Sequence, residues 1–266
     1  MSLKIKPLAE NSPKGWETST ISDQESRFNG MFNKRIGIII QLIHNTVENK
    51  DGNRFEYDSP LFCERQGAIS VPFFKDQNEK INVGFVHIDR PVLNVDIDTY
   101  HQLLEKALEE NNPQILSQES IFGDNLIEVP RGMGEKIAGR IKSSESVAKI
   151  EAEEEMGITV IKKIQQIGNT YWNTTFSPTK VPIFALEISS DLKKLQPQEL
   201  EAISGIEFIE INKVNEMILN GQILDSMSIT AIKQLELFLA SQEIQEQKAK
   251  KITSFMEFLF NLNPFS

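Results

Sequence analysis

The sequence predicts an α/β protein: a mixed sheet covered by helices on both faces, led by a β-hairpin and followed by a C-terminal helical extension. Three observations carry this. Short β-branched and apolar runs bounded by turn signals recur along the chain, helical periodicity interrupts them three times, and the composition is ordinary for a globular protein at 39% hydrophobic and 25% charged. A chain of 266 residues suits one large domain with a smaller appendage. The expected division is a lead-in and hairpin over 1–60, a main domain over 61–241 and a helical tail over 242–266.

The elements follow in order. Residues 1–30 are polar, with Pro7, Pro13 and Gly15, and read as an irregular lead-in. RIGIIIQLIHNTV (35–47), a turn at Asp51-Gly52 and FEYDSPLFCE form an antiparallel hairpin pattern. GAISVPFF (67–74), the polar turn KDQNEK and INVGFVHI (81–88) form a second. Tyr100, Leu103, Leu104, Ala107 and Leu108 share one face of a helix over 99–108 that should stop near Asn112-Pro113. LIEVP (126–130) is a short strand entering the glycine-rich loop RGMGEKIAGR. A helix follows over 144–156, with Gly157 at its C-terminus. VIKKIQQIG (160–168), VPIFALEI (181–188) and IEFIEI (206–211) are strands; VNEMILNG is helical, and a long helix starts near Ser228.

The helix over 144–156 raises the chemical question. At 100° per residue, Glu151, Glu154 and Glu155 span an arc of about 100°. Ala148, Ala152 and Met156 form a neighbouring apolar stripe that can dock on a sheet, while Glu153 points to solvent. No Lys or Arg stands three or four residues from any of the three glutamates, so their repulsion is not offset within the helix. A solvated acidic face and a site for a hard divalent cation, which takes carboxylate oxygens, both account for the pattern.

Composition removes several classes. A net charge of −10 opposes a sequence-independent grip on nucleic acid, which needs clustered cations. The lone Cys63 cannot form an intrachain disulfide and lacks a nucleophile signature. MSLKIKPLAENS has no apolar core segment, and no apolar run approaches a membrane span of ~18 residues, so neither a signal peptide nor a transmembrane segment is expected, and the expected location is cytoplasmic. His44, His87 and His101 show no metal-ligand spacing, and GEKIAGRI (134–141) lacks the Lys-Ser/Thr of a phosphate-binding P-loop.

EVPRG followed by IEAEEEMGI resembles the signature of Nudix hydrolases, with Glu151, Ala152, Glu154, Glu155, Gly157 and Ile158 in register. RQGAISVPFF and VGFVHIDRP, then Glu128, Pro130 and Gly132 as Glu-x-Pro-x-Gly, resemble ADP-ribose pyrophosphatases and related nucleoside-diphosphate-sugar hydrolases. So does VNEMILNGQILDSMSITAI; the resemblance covers about residues 35–240. It implies an α/β/α Nudix sandwich and a hairpin that helps to form a homodimer. It also implies metal-dependent cleavage of a nucleoside diphosphate linked to another group, with Glu151, Glu154 and Glu155 holding Mg²⁺ or Mn²⁺. A further glutamate comes from the loop before the last strand, where Glu199, Glu201 and Glu207 are candidates and Glu201 is carried as catalytic. Arg65, Arg90, Arg131 and Glu128 are the substrate-binding candidates.

Two positions depart from that signature. Ile150 stands where the family has an arginine, and Lys142 where it has a glutamate; the loop after Gly132 is also longer. Glu135 or Glu145, and Arg131 or Arg140, are the available replacements. The alternative reading is therefore a degenerate Nudix domain that binds a nucleotide or protein without turnover. Tyr171, Trp172 and Phe176 offer an aromatic surface for a base, with ordinary packing as the alternative. Ile252, Phe255, Met256 and Leu259 recur at helical spacing behind Lys248, Lys250 and Lys251. Such an end can touch an anionic membrane or a partner helix, but the expectation is packing on its own domain or across a dimer.

Overall fold

A computed structural model describes the backbone of residues 5–7, 16–20, 31–33, 38–48, 54–92, 97–112, 115, 121–134, 136–137, 140–174, 177, 179–192, 195–198 and 203–261; side chains are described within 62–254 except at those gaps and at 89–97, 121–125, 136–137 and 140. The chain divides into two compact units. One comprises Met1–Ile69, Arg131–Glu151 and Asn169–Pro182, the other Ser70–Pro130, Ala152–Gly168 and Ile183–Ser266.

The first unit holds an N-terminal sheet. Its strands are β1 (Ile5–Pro7), β2 (Trp16–Thr20), β3 (Met31–Asn33), β4 (Ile38–Glu48) and β5 (Arg54–Cys63). β4 and β5 pair antiparallel from Ile39↔Cys63 to Glu48↔Arg54, the hairpin expected from the apolar runs. The other edge of β4 is shared, β2 taking Ile43–Val47 and β3 taking Ile38–Ile40. Strands within 1–30 correct the expectation of an irregular lead-in. Their short, polar sequences carry no alternation of their own; β1 pairs with β2, and β2 with β4.

The second sheet is mixed and has seven strands: β6 (Ala68–Lys75), β7 (Ile81–Val92), β8 (Ile121–Glu128), β9 (Arg131–Gly132), β12 (Ile161–Tyr171), β13 (Lys180–Ile188) and β14 (Ile203–Glu210). Two-residue strands β10 (Lys136–Ile137) and β11 (Arg140–Ile141) pair with each other as a small hairpin in the glycine-rich loop. The strand order is β12-β13-β6-β7-β14. β6 and β13 each bury six residues in succession, Ala68–Phe73 and Val181–Leu186, as strands covered on both faces do.

In the second unit, one edge of β7 is taken by β14 and the other is shared. β6 pairs with Ile81–Val83, then β8 takes over from Val86 to Val92. The takeover leaves Glu128 opposite Val86, where β8 turns into the glycine-rich loop.

Four helices are described: α1 (Ile97–Glu109), α2 (Ser144–Met156), α3 (Ile211–Leu219) and α4 (Ser226–Asn261). In α1 Ala107 is buried, but Leu108 is 65% exposed and so does not belong to the packed face expected of it. α4 runs on past residue 241, where the tail was expected to begin. The second unit's core gathers Val71, Val83, Phe85, Val86, Val129, Met156, Ile183, Leu186, Ile223, Ile232 and Leu235, all essentially inaccessible. Among the described residues, no helix is long and apolar enough to cross a membrane.

Candidate active site

Helix α2 carries the acidic cluster, and its ends are fixed by local chemistry. Ser143 caps the first turn: its Oγ accepts the backbone N–H of Ser146 at 3.2 Å, satisfying a donor the helix leaves open. At the other end Gly157 has φ +70, a left-handed conformation that side chains resist. The N–H groups of Gly157 and Ile158 donate to the carbonyls of Glu153 and Ala152 at 2.8 and 3.0 Å. A Cβ at Gly157 would also press on the backbone of Gln196, at 2.6 Å from its oxygen. The helix ends where the sequence placed it.

Val147, Ala148, Ala152 and Met156 form the buried face of α2. Met156 packs on β7 at Gly84, where a Cβ would lie 2.8 Å from the Met156 methyl carbon. Glu155 belongs to this buried face, at 4% exposure, whereas Glu151 and Glu154 are half-buried and Glu153 is exposed. The acidic arc and the apolar stripe therefore overlap instead of standing side by side. Desolvation of a carboxylate is costly without compensating partners, and Glu155 has them.

Within the first unit, the Glu151 carboxylate lies on Gly132. A Cβ at Gly132 would collide with both Glu151 carboxylate oxygens. The glycine of the Glu-x-Pro-x-Gly segment thus leaves the space that this carboxylate occupies. The loop is held against the segment after β5 by backbone. Ala68 and Ile69 pair with Gly132 and Arg131, the Gly134 N–H donates to the Arg65 carbonyl at 3.4 Å, and a Cβ at Gly67 would strike the Gly132 carbonyl.

Arg131 faces a group that sequence reasoning missed. Burial raises the Glu64 carboxyl above its ordinary range, and the positive charge of Arg131 partly opposes that rise. The Glu64 N–H lies 3.5 Å from Thr179 Oγ1, to which it donates. No periodicity marks Glu64, because it follows a strand end and meets Arg131 only through tertiary pairing.

In the second unit Glu128 is 2% exposed at the end of β8. The next residue, Val129, donates its N–H to Ser228 Oγ at 3.0 Å, and Ser228 donates in turn to Asp225 through N–H and Oγ at 2.8 and 2.7 Å. Asp225 so caps α4 and braces the strand end that presents Glu128. No sequence pattern signalled the Ser228 link.

Other candidates fall elsewhere. Arg65 is half-buried on the segment that meets Gly134. Glu207 is exposed on β14 and lies 3.3 Å from His87 Nε2. Tyr171 is 48% exposed, and Trp172 makes an edge-to-face contact with Phe62 at 5.4 Å, which is packing between side chains. Glu199, Glu201, Glu135 and Phe176, and the side chains of Arg90 and Arg140, lie outside the described residues. Ile150 is half-buried and Lys142 is half-buried just before α2. Glu145 pairs with Lys149 at 2.7 Å on the outer face of the helix, which occupies the carboxylate offered as a replacement.

Carboxylate oxygens are the donor type that Mg²⁺ and Mn²⁺ prefer. Among the described residues, however, no three Asp, Glu, His or Cys side chains converge as a ready-made metal cage.

No protein-family model matches the chain, and no curated protein sequence matches it. Solved structures do show likeness. An ADP compounds hydrolase aligns with 91% of this chain and 98% of its own at 11% identity and a TM-score of 0.46. The Nudix domain of Shewanella oneidensis NrtR, complexed with ADP-ribose, aligns with 66% of this chain and 90% of its own at 15% identity and a TM-score of 0.43.

Proposed function

We propose that the protein hydrolyses the phosphoanhydride bond of a nucleoside diphosphate linked to another group, of the ADP-ribose or nucleotide-sugar type, with Mg²⁺ or Mn²⁺. The observation that carries the proposal is the Glu151 carboxylate seated over Gly132. In the Nudix resemblance these two residues belong to the two halves of one signature, EVPRG and IEAEEEMGI, and a Cβ at residue 132 would displace the Glu151 carboxylate.

Glu151, Glu154 and Glu155 are the residues that would hold the cation. A bound divalent ion supplies neutralisation of the diphosphate oxygens and a water of lowered pKa. The remaining roles fall to the chain. Arg131 and Arg65 bring positive charge to the loop beside Gly132, Glu128 closes the strand end, and Glu201 is the proposed proton acceptor. The products would be a nucleoside monophosphate and a phosphorylated remainder.

A second reading, binding without turnover, is favoured by Ile150 and by Lys142, which stand where the resembled signature has an arginine and a glutamate. One experiment separates the two. The protein is incubated with ADP-ribose and a panel of nucleotide sugars plus Mg²⁺ or Mn²⁺, and monophosphate release is followed. Turnover that falls at least 100-fold, about 2.7 kcal/mol, in Glu154→Gln and Glu155→Gln supports hydrolysis. Absence of turnover on every compound, with nucleotide binding that survives chelation, selects the second reading.

A further inference from the structure

An asparagine followed by glycine is chemically labile, because no side chain shields the glycine nitrogen from the asparagine's amide carbon. The chain holds two such pairs. Asn29-Gly30 lies outside the described residues, and Asn220-Gly221 forms the turn from α3 to α4, with both residues exposed. Gly221 has φ +72, where side chains are strained, and the nearest atom a Cβ there would meet, Leu224 Cδ2, is 3.8 Å away. The glycine is there for its backbone, and the space beside it is open.

The fold holds the reactive atoms apart. Asn220 caps the C-terminus of α3 at φ −88 and ψ 3, its N–H donating to the Glu216 carbonyl at 2.9 Å. With ψ near zero the Gly221 nitrogen is turned away from the Asn220 side chain, and ring closure requires rotation until that nitrogen eclipses Cβ. The Gly221 N–H also donates to the Ile218 carbonyl at 3.2 Å, which holds the proton that attack must release. Both restraints end when the last turn of α3 opens, and helix ends fray before helix interiors do.

We propose that Asn220 is a deamidation site gated by the last turn of α3, a property independent of the hydrolysis proposed above. In the opened turn the Gly221 nitrogen bonds to Asn220 Cγ and releases its proton. The side-chain nitrogen leaves with that proton as ammonia, and a cyclic imide remains. Water then opens the imide at either carbonyl, leaving aspartate or the β-linked isoaspartate. Each product sets a carboxylate at the negative end of the helix dipole. The β-linked form also lengthens the main chain where the Gln222 and Ile223 N–H groups donate to the Met217 carbonyl, at 2.8 and 3.3 Å. Met217 and Ile223 are buried, so modification loosens the joint between α3 and α4 at its seat in the core.

The test is incubation of the full chain at mildly alkaline pH, folded and in denaturant, followed by peptide mass analysis and isoaspartate labelling. Conversion at Asn220 should be at least 10-fold slower in the folded chain. Glu216→Gly weakens the last turn of α3 at an exposed position and should speed folded-state conversion at least 3-fold, without changing the rate in denaturant. Circular dichroism checks that this variant is folded. Folded protein aged to conversion should melt lower than fresh protein, and Asn220→Gln should remove that loss. Equal rates in the folded and denatured chains overturn the proposal, as does a folded-state rate that Glu216→Gly leaves unchanged. No conversion of Asn220 in denaturant overturns it outright.

Discussion

At the scale of single residues, glycines separate function from stability. The atoms a Cβ at Gly132 would meet belong to the far end of a flexible glutamate. Gly132→Ala should therefore leave the melting temperature within a few degrees of wild type while displacing Glu151 and lowering kcat/KM at least 10-fold, or ~1.4 kcal/mol. Gly157→Ala differs, since its φ of +70 and the Gln196 backbone both resist a side chain. It should destabilise by about 1–3 kcal/mol, readable by denaturant melting.

Glu64 gives a pH signature at the same scale. Its folded pKa is raised, chiefly by burial and against the pull of Arg131, so its stabilising share is complete below the unfolded value and is lost as pH rises through the folded one. Glu64→Gln should accordingly melt higher than wild type near pH 7. The advantage should shrink on acidification and vanish below the ordinary value of 4.5. A difference independent of pH would contradict this.

At the scale of elements, α2 was the most legible part of the chain. Its residues are good helix formers and its terminal glycine is a local signal, and the structure ends the helix as that glycine indicates; the Ser143 cap emerged from the structure. Ser143→Ala should cost about 1 kcal/mol, measured as a drop in the denaturant midpoint. The burial of Glu155 was not legible. Spacing fixes which residues share a face, but not how deep a neighbouring sheet reaches over that face. The strands β1 and β2 escaped for a related reason: β1 pairs with β2, and β2 finds its other partner in β4, more than twenty residues further along the chain.

At the scale of the molecule, the mixed sheet and its helices follow from alternating elements that the sequence displayed in order. The apolar runs GAISVPFF and VPIFALEI were legible as strands, whereas their burial on both faces, in β6 and β13, emerged only from the structure. The chemistry was legible only as segments: Glu128, Pro130 and Gly132 on one side, Glu151, Glu154 and Glu155 on the other. That Gly132 receives the Glu151 carboxylate is a tertiary fact, as are the Glu64 charge beside Arg131 and the Asp225–Ser228–Val129 brace. No periodicity encodes contacts between residues so far apart.

The central claim is that the carboxylates of α2 take up a divalent cation. Calorimetric titration of Mn²⁺ into the wild-type protein, and into Glu154→Gln and Glu155→Gln, tests it most directly. The account predicts saturable uptake in the wild type that weakens at least 10-fold in each variant, about 1.4 kcal/mol. No uptake by the wild type, or equal uptake by all three proteins, would contradict it.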